Sequence, residues 1–383
     1  MQPSHLFVGV RVKVKIMIRV GFVFNHSDII GGGELSFIEL AGAIHKFDIE
    51  PIAIVPGKGE VQSRLDTLGI EIVEMSWPPI RIKSFLNVPQ LIHNASEIFH
   101  NFRLNLIHVN GARCMLYAGP AARRINIPCI WHVRVLERDY LFDRLRERYA
   151  SIIIANSKAV AKTLSRLGLP SKKIEVVYNG LGLEKLKSSQ PLNLASEFHI
   201  PDEPVVLAMG RFTRWKGFED LIHACKILKE KSISFSCLLI GEALPDEKDY
   251  EFQLRELVRK LELTNVFFTG WRNDISSIMK SASVLVVPSH SESFGRVIIE
   301  AWACGLPVIA TNEGGPAEII TNGTDGLLVK TGDKEQLTEA IIRILCDITL
   351  AIKLRDAAYQ KVLNFTLEKH AEQIANIYKS VLH

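Results

Sequence analysis

The sequence predicts an α/β protein: two doubly wound, parallel-sheet domains facing each other across a cleft. Three observations carry this expectation. Short apolar runs alternate with helix-period segments along most of the chain. The alternation pauses once, over a polar, Pro-bearing stretch from Lys185 to Pro204, and then resumes. The length, 383 residues, exceeds a comfortable single core.

In the first half, strands are expected at Val20–Phe24, Pro51–Val55, Glu71–Met75, Leu106–Val109, Pro128–Val133, Ser151–Ala155 and Ile174–Val177. Helical patterns lie between most of them, so the sheet is parallel with crossovers. Residues 1–16 read as an extension before the first buried strand. Ser76 to Asn87, rich in Pro, Arg and Lys, reads as a mobile loop. After the linker come strands Val205–Met209, Ser234–Ile240, Val266–Thr269, Val284–Val287 and Val308–Ala310. Helices are expected at Phe218–Lys229, Asp249–Leu261, Asp274–Lys280, Arg296–Cys304, Lys334–Asp347, Leu350–Leu363 and Thr366–Leu382. The expected domains are 1–187 and 188–365.

Composition bounds the class. Hydrophobic residues make up 47% and charged residues 23%, as in ordinary soluble proteins. No apolar run approaches the ~20 residues that span a bilayer, and no signal peptide is evident. Six cysteines are scattered without paired spacing and read as reduced residues of a cytoplasmic protein. Residues 1–187 carry 25 Lys+Arg against 16 Asp+Glu, a net +9, while the remainder is −5. A basic half suits an anionic acceptor or an anionic membrane surface; a surface kept basic for solubility explains it equally well. The run Ile80 to Leu86 alternates apolar and basic residues and hints at such a membrane surface, a simple acceptor loop being the plainer reading.

The chemistry is densest between Pro288 and Glu318. A buried strand ends at Pro288, and Ser291, Glu292, Ser293, Phe294 and Gly295 form a polar loop before a helix from Arg296. Parallel sheets bind ligands at this end of a strand, and a helix N-terminus beside Gly offers free N–H groups. Glu292 and Glu300 stand at two heights over roughly 12 Å, at 1.5 Å rise per residue. Carboxylates accept hydrogen bonds from vicinal hydroxyls. A ligand with a sugar at one end, a ribose at the other and phosphates between fits that spacing.

Glu292-x7-Glu300 enclosing Ser293-Phe294-Gly295, followed by ACGLPVIAT and GGPAEI, resembles the retaining glycosyltransferase family 4. The resemblance implies the GT-B fold, with two facing Rossmann-like domains and an interdomain cleft. It also implies that the helix of 366–383 crosses back to the first domain, that the second domain holds a nucleotide-sugar donor, and that the first holds the acceptor. UDP is the donor base implied by the family, with no cofactor and no metal.

Three further sites follow. Gly31-Gly32-Gly33-Glu34 comes after the first strand; glycines let backbone approach a phosphate, with a helix N-terminus behind them. A dinucleotide fingerprint is the competitor, but no G-x-G-x-x-G is present and the second strand ends in Val55-Pro56 without an acidic residue. Gly210-Arg211-Phe212-Thr213-Arg214-Trp215-Lys216-Gly217 resembles the family's phosphate motif; Arg211 and Lys216 would neutralise a diphosphate leaving group. Trp131-His132 ends a strand, and the resemblance puts His132 by the donor sugar or reacting centre. Asn110 lies beside it in the expected cleft; Asn156 and Asn179 read as turn or cleft-lining positions. Gly241, Trp271 and Arg272 border the expected nucleotide pocket.

The absent motifs narrow the class. There is no Asp-x-Asp, HExxH, paired CxxC, Walker loop or GxSxG, and no aromatic-interleaved basic patch for nucleic acid. The expected activity is transfer of a hexose from a nucleotide-diphosphate sugar to a glycan, lipid-linked or phosphorylated acceptor, in cell-surface polysaccharide or glycoconjugate synthesis. His132, Glu292, Arg211 and Lys216 are the expected catalytic residues. The alternatives are a nucleotide-sugar epimerase and a non-catalytic sugar-binding module. The expected setting is cytoplasmic, with peripheral contact at an anionic inner membrane face.

Overall fold

A computed structural model describes residues 17–79, 85–137 and 139–382. The expected extension at 1–16, and residues 80–84 of the amphipathic run, lie outside them.

The first domain is a seven-stranded parallel sheet: β1 Ile18–Phe24, β2 Ile49–Val55, β3 Glu71–Glu74, β4 Leu106–Asn110, β5 Cys129–Val133, β6 Ile152–Ala155 and β7 Ile174–Val176. Its spatial order is β3-β2-β1-β4-β5-β6-β7. The second domain is six-stranded and parallel: β8 Val205–Met209, β9 Ser236–Ile240, β10 Val266–Gly270, β11 Val284–Val287, β12 Val308–Thr311 and β13 Leu327–Val329, ordered β10-β9-β8-β11-β12-β13. Helices cover both faces, so central strands read as unbroken apolar runs; Val284–Val287 is buried throughout. Both sheets reverse direction of winding at one place, between β1 and β4 and between β8 and β11. Those two switch points are where open α/β sheets open a crevice.

Two expectations need correction. The three-residue strand β13 is absent from the sequence reading. The stretch Lys185 to Pro204 is not an irregular linker: it contains helices Leu183–Ser188 and Leu194–Phe198. Asn193 starts the latter by accepting a hydrogen bond from the Ser196 amide at 3.0 Å. Leu181, Leu183, Leu194 and Ile200 are buried in the second domain's core.

The chain therefore crosses between domains near Gly180, and it crosses back at Thr366. The two crossings touch: the Leu181 amide donates to the Phe365 carbonyl at 2.9 Å, and the Leu367 amide to the Leu181 carbonyl at 3.0 Å. The helix Leu367–Leu382 then lies on the first domain. Its Ala371, Ile374, Ala375 and Tyr378 join a core with Phe22, Phe24 and Phe37.

Candidate active site

On the second domain, β8 and β9 end in glycines that touch. A Cβ on Gly241 (φ 136°) would lie 2.0 Å from the Gly210 carbonyl oxygen, so only glycine permits this approach. The turn Arg214–Lys216 follows. It aims Lys216 at the loop after β11, where Lys216 Nζ meets Glu292 Oε2 at 2.5 Å with both side chains largely buried. Glu292 is held by the later Gly turn. The Gly315 amide donates to the Glu292 carbonyl at 2.8 Å, and a Cβ on Gly314 (φ 63°) would collide with that carbonyl at 2.2 Å. Arg211 reaches Glu247 through Nε at 3.3 Å. Burial raises the Glu247 carboxyl above its usual range, with Arg211 opposing.

Several expected ligand residues face elsewhere. Phe294 is 1% exposed, packed on Tyr178 and Phe365 with centroids 6.0 and 6.1 Å away; it is a core residue at the domain crossing. Ser293 Oγ donates across the cleft to the Arg134 carbonyl at 2.7 Å. Gly295 (φ 87°) caps the helix Arg296–Ala303. Arg296 Nε holds Glu300 Oε1 at 2.7 Å and leaves the side chain 19% exposed, while the same guanidinium donates to Ser36 Oγ at 2.8 Å and Glu39 Oε1 at 2.7 Å on the first domain. Burial raises the Glu300 carboxyl, and Arg296 offsets part of that. Trp271 is 53% exposed after β10. The Arg272 guanidinium turns to Asp274 (2.6 Å) and Glu197 (2.7 Å), so it braces the helix Leu194–Phe198.

On the first domain, Gly31 caps the helix Gly32–Ala43 in an extended conformation. Only Gly32 is tightly packed. A Cβ on Gly32 would meet Arg296 Cδ at 3.2 Å and one on Gly33 would meet Arg134 Cδ at 3.5 Å, while Gly31 faces open space. An N-terminus with two guanidinium groups beside it favours an anion. Burial raises the Glu34 carboxyl there, with Arg134 and Arg211 from the two domains opposing.

Arg134, just past β5, organises this side. Its Nε donates to Asn110 Oδ1 at 2.8 Å, Nη1 to Asn179 Oδ1, and Nη2 to His132 Nδ1 at 3.2 Å. Burial brings this guanidinium down to about 9, still charged at neutral pH. His132 is 1% exposed and stacks on His108 with centroids 5.2 Å apart and rings within 5° of parallel. His132 Nε2 is buried without a partner. Burial, then Arg134, holds His132 well below the usual imidazole range, so it is neutral.

The model for Glycosyltransferase Family 4 matches residues 30–185, and that for glycosyl transferases group 1 matches residues 190–361. The lipopolysaccharide core biosynthesis glycosyltransferase LpsE of Rhizobium meliloti is 30% identical over 370 residues, covering 92% of this chain and 96% of LpsE. The chain belongs to glycosyltransferase family 4. A Campylobacter jejuni relative, N,N'-diacetylbacillosaminyl-diphospho-undecaprenol alpha-1,3-N-acetylgalactosaminyltransferase, is 24% identical over 391 residues (95% of this chain, 99% of the relative). Among solved structures, Anabaena HepE in complex with UDP and glucose superposes with a TM-score of 0.82 at 25% identity, over 95% of this chain and all of HepE. The GT-B fold is thereby established.

For a glycosyltransferase, the arrangement is a cleft with cations from both domains and a carboxylate, Glu292, already paired to one of them. Sequence reasoning missed Arg134, Arg296, His108, His370, Tyr378 and Glu318. Arg134 had a local signal, two residues beyond His132. Glu318 accepts from the Lys158 amide at 2.8 Å and the Tyr178 hydroxyl at 3.2 Å. It thereby ties the Gly314-Gly315 turn to a first-domain helix N-terminus, a contact no local pattern announces.

Proposed function

We propose that this enzyme transfers a hexose from a UDP-sugar to a lipid-linked or phosphorylated glycan acceptor, with retention. The observation that carries the reading is the Lys216–Glu292 contact at 2.5 Å on the second domain, with Arg211 close enough to the first domain's Glu34 to act on its carboxyl. Lys216 and Arg211 take up the charge that develops on the departing diphosphate. Glu292, exchanging Lys216 for hydroxyl partners, holds and orients the sugar. His132 faces the sugar from the first domain. Glu300 and the backbone at Trp271 hold the nucleoside end. UDP bound in HepE and the diphosphate-lipid acceptor in the Campylobacter relative's name support the donor and acceptor classes. The named relatives are transferases, which favours transfer over epimerisation or passive binding.

The test is a thermal-shift panel with UDP, GDP, ADP and their sugars on wild type and Lys216→Ala. Ligand at 100-fold its Kd stabilises by about 2.7 kcal/mol. Stabilisation by UDP and UDP-sugar, lost in Lys216→Ala, supports the reading; no response to any nucleotide sinks it. Labelled UDP-hexoses with lipid-diphosphate acceptors then report transfer.

The proposal extends to a cytoplasmic enzyme resting on an anionic membrane. No helix among the described residues is long and apolar enough to cross a bilayer. The helix Tyr140–Glu147 leaves Leu141 76% exposed, with Phe142 and Leu145 also exposed, inside the basic half of the chain. Co-sedimentation with anionic vesicles and not with zwitterionic ones is the expected outcome; equal behaviour with both removes this part.

A further inference from the structure

Behind the cleft edge of the first domain lies a buried cluster that the transfer reading uses only at its rim. His108 Nδ1 meets the Tyr378 hydroxyl, His108 Nε2 lies 3.1 Å from His132 Nδ1, and Arg134 Nη2 lies 3.2 Å from the same Nδ1. These contacts have a direction. A guanidinium only donates, so His132 Nδ1 presents its lone pair to Arg134. Burial keeps this ring neutral, and its single proton is therefore on Nε2. Two lone pairs cannot face each other at 3.1 Å, so His108 carries its proton on Nε2 and donates as well. His108 Nδ1 is then an acceptor, and Tyr378 must donate to it. The reverse order would set His132 Nδ1–H against an Arg134 N–H. His370 provides a contrast: its Nδ1 faces the Tyr178 carbonyl at 2.7 Å, so its proton is on Nδ1 and its buried, unpartnered Nε2 is a lone pair. Its ring centroid lies 6.4 Å from that of His132.

We propose that Tyr378, His108 and Arg134 are positioning residues that lock His132 as the Nε2–H tautomer, making it a hydrogen-bond donor to an oxygen of the bound sugar and never its base. The lock rests on the reading that His132 faces the sugar, but its tautomer is measurable without substrate. Tyr378 comes from the helix that crosses back between domains, so a residue of that helix buttresses the relay. Arg134 chooses the direction of the whole relay, because it alone of the contacting groups has no alternative to donating. Such second-layer hydrogen bonds decide which ring nitrogen meets the ligand.

The experiment is long-range ¹H–¹⁵N correlation on full-length protein labelled at histidine, at neutral pH, with signals assigned by single substitutions. The expected result is Nε2–H for His108 and His132, and Nδ1–H for His370. In Arg134→Met, which removes the obligatory donor, His108 and His132 become tautomer mixtures, whereas in Tyr378→Phe, which keeps the ring and the packing, Arg134 still holds both as Nε2–H. One lost hydrogen bond lowers kcat/KM about five-fold. His108→Gln keeps an N–H near the original Nε2 and so retains most of the activity; His108→Leu loses that donor and the activity with it, while Arg134 keeps the His132 tautomer. A proton on His132 Nδ1, a cationic His132, or equal losses in the Gln and Leu variants overturns the lock. Correct tautomers in a protein that transfers no sugar would count against the donor reading alone.

Discussion

The two faces of the cleft are built on opposite electrostatic plans. On the second domain, cations have carboxylate partners: Lys216 with Glu292, Arg211 with Glu247, Arg272 with Asp274 and Glu197, and Arg296 with Glu300. On the first, Arg134 is hydrogen-bonded to neutral groups, Asn110, Asn179 and His132, and the imidazoles behind it are held neutral by burial. The first plan suits exchange of partners: in the proposed reading an arriving diphosphate displaces a carboxylate already in place. The second is fixed in advance and offers directed hydrogen bonds. A phosphate-binding side and a sugar-orienting side need these respective properties.

The sharpest way to break the comparison is Lys216→Ala. If the second domain neutralises the leaving group, kcat/KM falls by about 10²–10³-fold; steady-state kinetics with less than a few-fold change would dissolve the distinction. Next is Arg296, which links both faces. Arg296→Ala leaves Glu300 and Glu39 without their buried counter-ion, and should cost about 3 kcal/mol in chemical denaturation. A loss under 1 kcal/mol would mean the two faces are not coupled there.

The neutral side makes its own prediction with pH. Burial holds His108 and His132 well below the ordinary imidazole value and His370 at about 3. The unfolded chain protonates these residues below about pH 6.5 while the native chain does not. Stability is therefore complete above pH 6.5 and is lost as pH falls towards 3, by about 1.4 kcal/mol per pH unit for His370 alone. Denaturation midpoints between pH 6.5 and 5 should show this slope, and His370→Gln should lessen it by one proton's worth. An unchanged slope would place charge inside the supposedly neutral cluster. The smallest effect is expected at Trp271, exposed at the pocket rim: Trp271→Ala should raise the donor KM about three-fold with kcat unchanged. A fall in kcat would bring that rim into the reacting centre.

The same comparison explains what the sequence made legible. The second domain's site is written in contiguous strand–loop–helix strings, so Lys216, Arg211 and Glu292 stand out locally, and the parallel sheets follow from apolar runs between helical patterns. What local strings do not encode is direction. Phe294 and Glu300 belong to the same motif as Glu292, yet Phe294 turns into Tyr178 and Phe365, and Glu300 into Arg296. The Arg272 side chain follows the same rule, its partner Glu197 lying 75 residues away. The first domain's site is assembled from β4, β5 and the helix Leu367–Leu382, and Tyr378 stands 270 residues from the His108 it contacts. Only topology brings such residues together.

That returning helix has a consequence for synthesis. Roughly 190 residues are made between the end of β7 and Leu367, and throughout that interval the first domain leaves uncovered the apolar face formed by Phe22, Phe24 and Phe37. The domain that emerges first is completed last. A ribosome carrying this chain thus holds a half-finished hydrophobic layer for the whole time the second domain is being built. A chain broken off before Thr366 exposes that layer, and one that carries the helix Leu367–Leu382 covers it.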